Sequence, residues 1–308
     1  MMRSLLLAPL AVLALAPPAF AAPTVARKMT CPIGGQAFVY QQPVSSAALG
    51  MRPDGKPYGP AAAPAPLPEC PGNGLVFYKD YTDDEVKTLE PVVASEDYQA
   101  LRKTDTQYYR AYWLMRQMGV GPEDYLWALL QASWQAEGKP ELRARYLTEL
   151  AAESAKVPPN PTDIDWIGME GRAIDALREL GRFDEAEARL AKVPLAGLDV
   201  KVPEGPAADA KAPESAGADA KARRNWFTFF QQLKVAIARK DKAIEPFDMI
   251  PRSVALGYCI DRAADSLDDN QRAFCTKEQP AVEQARNQRA KAAQDMKTLG
   301  QARDESGR

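Results

Sequence analysis

The chain contains no histidine. That absence removes every catalytic scheme built on an imidazole base and every metal site that needs an imidazole ligand. There is no Cys-x-x-Cys pair, so thiol–disulfide exchange has no motif to run on. A phosphate loop is missing too: Gly168, Gly171 and Gly181 have neither the spacing nor the lysine, and Gly34-Gly35 reads as a turn in preference to an anion nest. Charge of one sign is not in excess, with 39 Lys and Arg against 41 Asp and Glu, which leaves no electrostatic case for nucleic acid. Past the N-terminal region no apolar run approaches the roughly 20 residues of a membrane span, so no integral span is expected in the mature chain.

What is present begins with a leader. Arg3 is followed by the apolar run Leu5 to Ala16, then Pro17, Pro18 and the small-residue site Ala19-Phe20-Ala21. This reads as a secretory signal over residues 1–21, cleaved after Ala21, and predicts a periplasmic or secreted protein. Cys31 lies too far beyond the apolar run for a lipidated first residue. The four cysteines all fall in the mature chain, where an oxidising compartment favours disulfides. Three pairings are possible, and sequence order favours Cys31 with Cys70 and Cys259 with Cys275. A four-cysteine zinc site is allowed by number, but its spacings carry no metal signature; no metal and no cofactor are expected.

Residues 22–80 are turn-rich. Cys31-Pro32-Ile33-Gly34-Gly35 precedes an alternating run from Gln36 to Tyr40, and Cys70-Pro71-Gly72-Asn73-Gly74 precedes Leu75 to Tyr78. Each is a tight turn feeding a short strand candidate. Arg52 to Lys56 reads as a further turn, and the repeated prolines between Ala61 and Pro68 favour an extended path. The doublet resembles a degenerate pair of zinc knuckles, normally Cys-Pro-x-Cys-Gly, with Gly34 and Asn73 where the second cysteines belong. It is similar to the N-terminal segment of the DUF2225 family of bacterial uncharacterised proteins, a likeness spanning residues 31 to about 195. The resemblance implies two knuckles followed by helices of tetratricopeptide character, and no activity. With both second ligands missing, a disulfide in the metal's place fits the leader.

Residues 81–196 read as a helical domain. Thr82 with Glu85 three residues on is a capping-box signature for a helix from Tyr81 to Glu96. Further apolar faces contain Tyr108, Tyr112 and Met115, then Tyr125, Leu129 and Ala132, then Leu142, Tyr146 and Leu150, broken at Val157 to Pro161. Trp166 to Pro194 reads as two antiparallel helices joined at Gly181, with Ala173, Leu177 and Leu180 on one face and Phe183, Ala186, Leu190 and Val193 on the other. Such a pair buries neither face alone, and it resembles half a tetratricopeptide unit. No clean period runs through the chain, so the fold expected is mainly α, an irregular tetratricopeptide-like helical array with a small disulfide-stapled N-terminal hairpin segment.

Residues 197–223, poor in apolar side chains, read as a flexible linker or loop. Residues 224–278 form a C-terminal helical block opened by Trp226, Phe227, Phe229 and Phe230, which read as core. Pro251 starts another helix, and residues 279–308 read as a polar helix with a frayed end.

Three functions follow, the first favoured over two alternatives. The first is an exported, non-enzymatic scaffold binding a protein or peptide in the cell envelope. The second is an envelope glycan hydrolase using Asp163, Asp165 and Glu170, with helix-start capping as the plainer role of those groups. The third is a small-ligand binder using Trp127, Trp134, Tyr108 and Tyr112, residues that read first as core.

Overall fold

The computed structural model describes residues 23–44, 48, 50–59, 62–202 and 214–306. The expected leader and residues 203–213 of the expected linker lie outside them. The protein is mainly helical, with two small antiparallel sheets at its N-terminal end. β1 (Thr24–Thr30) pairs with β2 (Ala37–Pro43), and β3 (Gly50–Met51) with β4 (Pro57–Tyr58). β1 had no sequence signature, because nearly all of its side chains are exposed and no alternation marks a buried face.

The two cysteine turns have the same wiring. Cys31 N donates to Gln36 O (2.8 Å) and Gly35 N to Cys31 O (3.1 Å); Cys70 N donates to Leu75 O and Gly74 N to Cys70 O, both at 2.9 Å. Gly35 and Gly74 have φ of 66° and 76°, a region open to glycine at little cost. A disulfide joins Cys31 to Cys70, and Asn73 Nδ2 donates to Ile33 O (3.1 Å) across the two turns. The strand expected at Leu75 to Tyr78 is reduced to one bridge between Glu69 and Val76. Leu75 and Val76 are consecutive and both fully buried, which a one-faced strand does not allow.

This segment is fastened to the first helices, α1 (Asp83–Ala94), α2 (Glu96–Thr104) and α3 (Gln107–Gln117). Arg110 grips Glu69 through two hydrogen bonds of 3.0 and 2.7 Å, Tyr98 Oη donates to Gly74 O, and Arg102 donates to the carbonyls of Pro71 and Gly72. α1 opens with the expected capping box at Thr82 and Glu85. It stops at Ala94 because Ser95 caps a new helix, its hydroxyl accepting from Tyr98 N.

The array continues with α4 (Pro122–Gln135), α5 (Pro140–Ser154), α6 (Ile164–Glu179) and α7 (Phe183–Leu190), each packed on the next. Gly181, at φ 74°, ends α6 in the left-handed conformation that turns the chain into α7. α8 (Glu214–Ala238) returns to pack on α6 and α7, and α4 also touches α6, so α4, α6 and α8 share one side. One core gathers Tyr112, Leu129, Tyr146 and Leu150; a second gathers Ile167, Ile174, Leu177, Phe230 and Leu233. Gly171 permits the second: a Cβ there would stand 3.1 Å from both Phe229 and Trp226. The expected linker is corrected at its C-terminal end, since α8 starts at Glu214. Its Ala-rich stretch from Ala216 to Ala222, too short and interrupted by Gly217 to be stable alone, continues a helix that the aromatic half anchors.

A third unit comprises α9 (Arg252–Asp261) and α10 (Asp269–Lys277), joined by the Cys259–Cys275 disulfide around Phe247, Ile250 and Leu267. α11 (Gln279–Ser306) lies against α9 in its first half, where Arg289 pairs with Asp261 (2.8 Å), and stays helical through most of the stretch expected to fray. Among the described residues no helix is long and apolar enough to cross a membrane.

Candidate functional site

A cleft of about 820 Å³ opens where α4, α6 and α8 run side by side. Pro122 starts α4 after Gly121, putting Glu123 and Asp124 in its first turn and Trp127 one turn on, with 39% of its surface exposed. Asp163 caps α6 by accepting from Asp165 N (2.9 Å), and Trp166, Met169 and Arg172 follow along the cleft wall. α8 supplies Trp226, whose indole approaches α6 closely at Gly168: a Cβ there would be 3.0 Å from the ring.

Arg172 sits at the junction of these walls. Its Cζ is 5.0 Å from the ring centroids of both Trp127 and Trp226, a cation held between two indoles. Nη1 donates to Gly168 O (2.9 Å), Nε is buried without a partner, and Nη2 makes no hydrogen bond among the described residues. Gly55, in the turn between β3 and β4, covers the Nε edge; its φ is 85° and a Cβ on it would fall 2.6 Å from Nε. Burial lowers the Arg172 pKa to about 10, incompletely offset by Asp54, Asp175 and Asp165.

The carboxylates singled out from the sequence do meet at this cleft. Asp163, Asp165 and Glu170 all line it, but Glu170 gives both oxygens to Arg189, at 2.6 and 2.5 Å. Arg189 also donates to Ala151 O and Ser154 Oγ. Glu170 and Arg189 also border a second groove of about 610 Å³ flanked by Arg182 and Lys192. The four expected aromatics are not one site. Trp127 lines the cleft and meets Trp134 edge-on at 5.9 Å, whereas Trp134 and Tyr112 are buried core and Tyr108 Oη donates to Ala65 O. The cysteines are consumed by the two disulfides, none being free. What the sequence missed is Arg172 and the shared place of Trp166 and Trp226 on the cleft wall. Gly168 and Gly171, three apart on a helix ahead of an aromatic-rich one, were the available signal of a close helix–helix approach.

Behind the cleft lies a buried ionic cluster. Asp54 is held by Arg52 (2.5 Å) and Arg143 (3.4 Å), Glu137 by Arg52 and Lys56, and Glu179 by Arg143 (2.8 Å), tying the N-terminal turn to α5 and α6. Burial, with Asp175 and Asp54 nearby, pushes the Glu179 pKa up to about 8 against the pull of Arg143. A carboxyl raised on folding binds a proton the unfolded chain has released, so its contribution is complete below its ordinary value near 4.5 and lost as pH rises to about 8. Urea unfolding at pH 5, 6.5 and 8 is therefore expected to show stability falling with pH, by at most about 1.4 kcal/mol per unit from this group. Glu179→Gln should flatten that fall; parallel profiles for the two proteins would disprove the assignment.

Among the described residues no group of three or more His, Cys, Asp or Glu is placed to hold a metal ion. No protein-family model, curated protein or solved structure matches the chain.

Proposed function

We propose that the chain is a non-enzymatic binding protein of the cell envelope, whose helical array holds a peptide or a segment of another protein in the tryptophan-lined cleft. The observation that carries this reading is the convergence of Trp127, Trp166 and Trp226, from three helices, on one cavity. Indole walls offer a large apolar area with few rotatable bonds, which suits them to grip a chain that must lose its own freedom on binding. The cleft lies on the side shared by α4, α6 and α8, the kind of surface a tetratricopeptide-like array offers an extended segment. The matching cysteine turns support the degenerate zinc-knuckle resemblance, with a disulfide in the metal's place. Envelope placement rests on the leader and on the two disulfides.

One observation favours the hydrolase reading: Asp163, Asp165 and Glu170 share the cleft. Against it, Glu170 is occupied by Arg189 and Asp163 by its capping bond.

The test is to pan a phage-displayed random dodecapeptide library on the purified chain and to titrate the enriched peptides, made synthetically, by tryptophan fluorescence. Enriched peptides are expected to bind intact, and Trp127→Ala to weaken them about tenfold or more. A library that yields no binder, or binders indifferent to Trp127, overturns the proposal. Cleavage of cell-wall glycan strands, abolished by Asp165→Asn, would install the hydrolase instead.

A further inference from the structure

Five arginines with little exposed surface have a carboxylate in contact: Arg52 with Asp54, Arg110 with Glu69, Arg143 with Glu179, Arg178 with Asp175 and Arg189 with Glu170. Arg172 has none within ion-pair distance among the described residues, although its guanidinium is packed between two indoles. A guanidinium carries five N–H donors, and here one nitrogen alone has an acceptor, the Gly168 carbonyl. Gly55 lies over that side of the guanidinium, where a Cβ would fall 2.6 Å from Nε and 3.0 Å from Nη2, and both of these nitrogens are without an acceptor among the described residues of a side chain that lines the cleft.

We propose that Arg172 is the anchor for a carboxylate on the bound segment, an inference that rests on the peptide-binding reading above. The indoles fix the guanidinium plane in advance, so little side-chain freedom is lost when the anion arrives, and an ion pair formed in this partly dry setting is only weakly screened. The mouth adds a second condition. Glu123, Asp124, Asp163 and Asp165 are exposed there and make no ion pair among the described residues. They repel a uniformly acidic segment and attract a basic one. The chemistry that fits both is a peptide placing one Asp, Glu or chain-terminal carboxylate at Arg172, with a Lys or Arg near it at the mouth.

The experiment uses the peptides enriched from the dodecapeptide library, each compared with its analogue in which the acidic residue is replaced by the corresponding amide. Binding is measured to the unmodified protein, to Arg172→Met, which keeps the stem between the indoles, and to Arg172→Lys. Enriched sequences are expected to share an acidic residue. Removing either the carboxylate or the guanidinium should weaken binding about tenfold or more, and removing both should weaken it no further, as partners in one contact do. Arg172→Met is expected to unfold at no lower a temperature than the unmodified protein, because it takes out a buried cation whose desolvation outweighs the pull of Asp54, Asp175 and Asp165 and which has no ion-pair partner among the described residues; a structural role would lower it. Peptides that depend on Trp127 but bind Arg172→Met normally would overturn the anchor and leave the binding function standing. Failure to enrich any peptide removes both.

Discussion

Arg178→Ala is expected to cost about 3–5 kcal/mol of unfolding free energy, the range for removing one partner of a fully buried ion pair. Arg178 and Asp175 have no exposed side-chain surface and meet at 2.7 Å, one turn apart on α6. Nη1 also donates to Asp241 O (2.8 Å) and Ala243 O (2.7 Å), so the same guanidinium joins α6 to the chain leaving α8. Alanine would leave a carboxylate without its counter-ion and two carbonyls without a donor. Burial already raises the Asp175 pKa, so in the variant Asp175 is expected to take up a proton, and the deficit should shrink as pH falls. Arg178→Met with Asp175→Leu should recover part of the loss, because the charge goes, but not all of it, because the two carbonyls stay unpaired. Urea denaturation of the unmodified protein and the two variants at pH 5 and 7.5 measures this. A loss below about 1 kcal/mol, the level of an exposed pair, would mean that water reaches the site.

Much of this fold could be read from local chemistry. Thr82 with Glu85, Pro122, and Gly181 are punctuation whose meaning depends on a few neighbouring residues, and the boundaries near them fall where expected. The apolar faces holding Leu129, Tyr146, Leu177 and Leu190 likewise mark helices that pack in consecutive order. The misreadings share one cause, which is tertiary override of a local pattern. Leu75 and Val76 read as a strand, but Tyr98 and Arg110 both take the Gly74 carbonyl and draw both side chains under cover. The Ala-rich start of α8 read as linker for lack of an apolar face, yet it prolongs a helix fixed elsewhere by Phe230 and Leu233.

The cleft was less legible still. Its three tryptophans lie on three helices, at positions 127, 166 and 226, and no spacing rule links them. Two acted as ordinary core candidates, which Trp226 partly is, since it packs at 5.1 Å on Phe229. Arg172 looked like any arginine on an amphipathic helix. What distinguishes it is a missing partner, and a missing partner is visible only when every neighbour has been placed. The acids at 163, 165 and 170 were legible as a group, and two of them prove to have local structural duties: Asp163 as a cap, Glu170 as the clamp on Arg189.

The second large effect concerns the N-terminal staple, which spans a sequence separation of 39 residues. Opening it with Cys31→Ser and Cys70→Ser should cost about 4 kcal/mol on the chain-entropy argument, against about 3 for the Cys259–Cys275 bridge, whose separation is 16. The two sides of the bond are not held equally. The Cys70 turn has its own fastenings in Arg110 with Glu69, Tyr98 with Gly74, and Arg102 with two carbonyls. On the other side, Asn73 with Ile33 and Tyr40 with Pro66 are, among the described residues, the side-chain hydrogen bonds that tie the β1–β2 hairpin down, and both strands are largely exposed. A two-stranded hairpin with so little cover is marginal by itself. Loss of the bond should therefore free the hairpin first, while residues 69–76 stay docked. Trypsin is expected to cut the double variant early at Arg27 and Lys28, and to leave Arg102 and Arg110 protected. Because the Arg52 to Lys56 turn is held separately by Glu137 and Arg143, peptide binding at the cleft should survive the cut. Equal early cleavage at Arg27 and Arg102 would show that hairpin and helices open as one unit, and that the disulfide supports the whole array instead of its N-terminal edge.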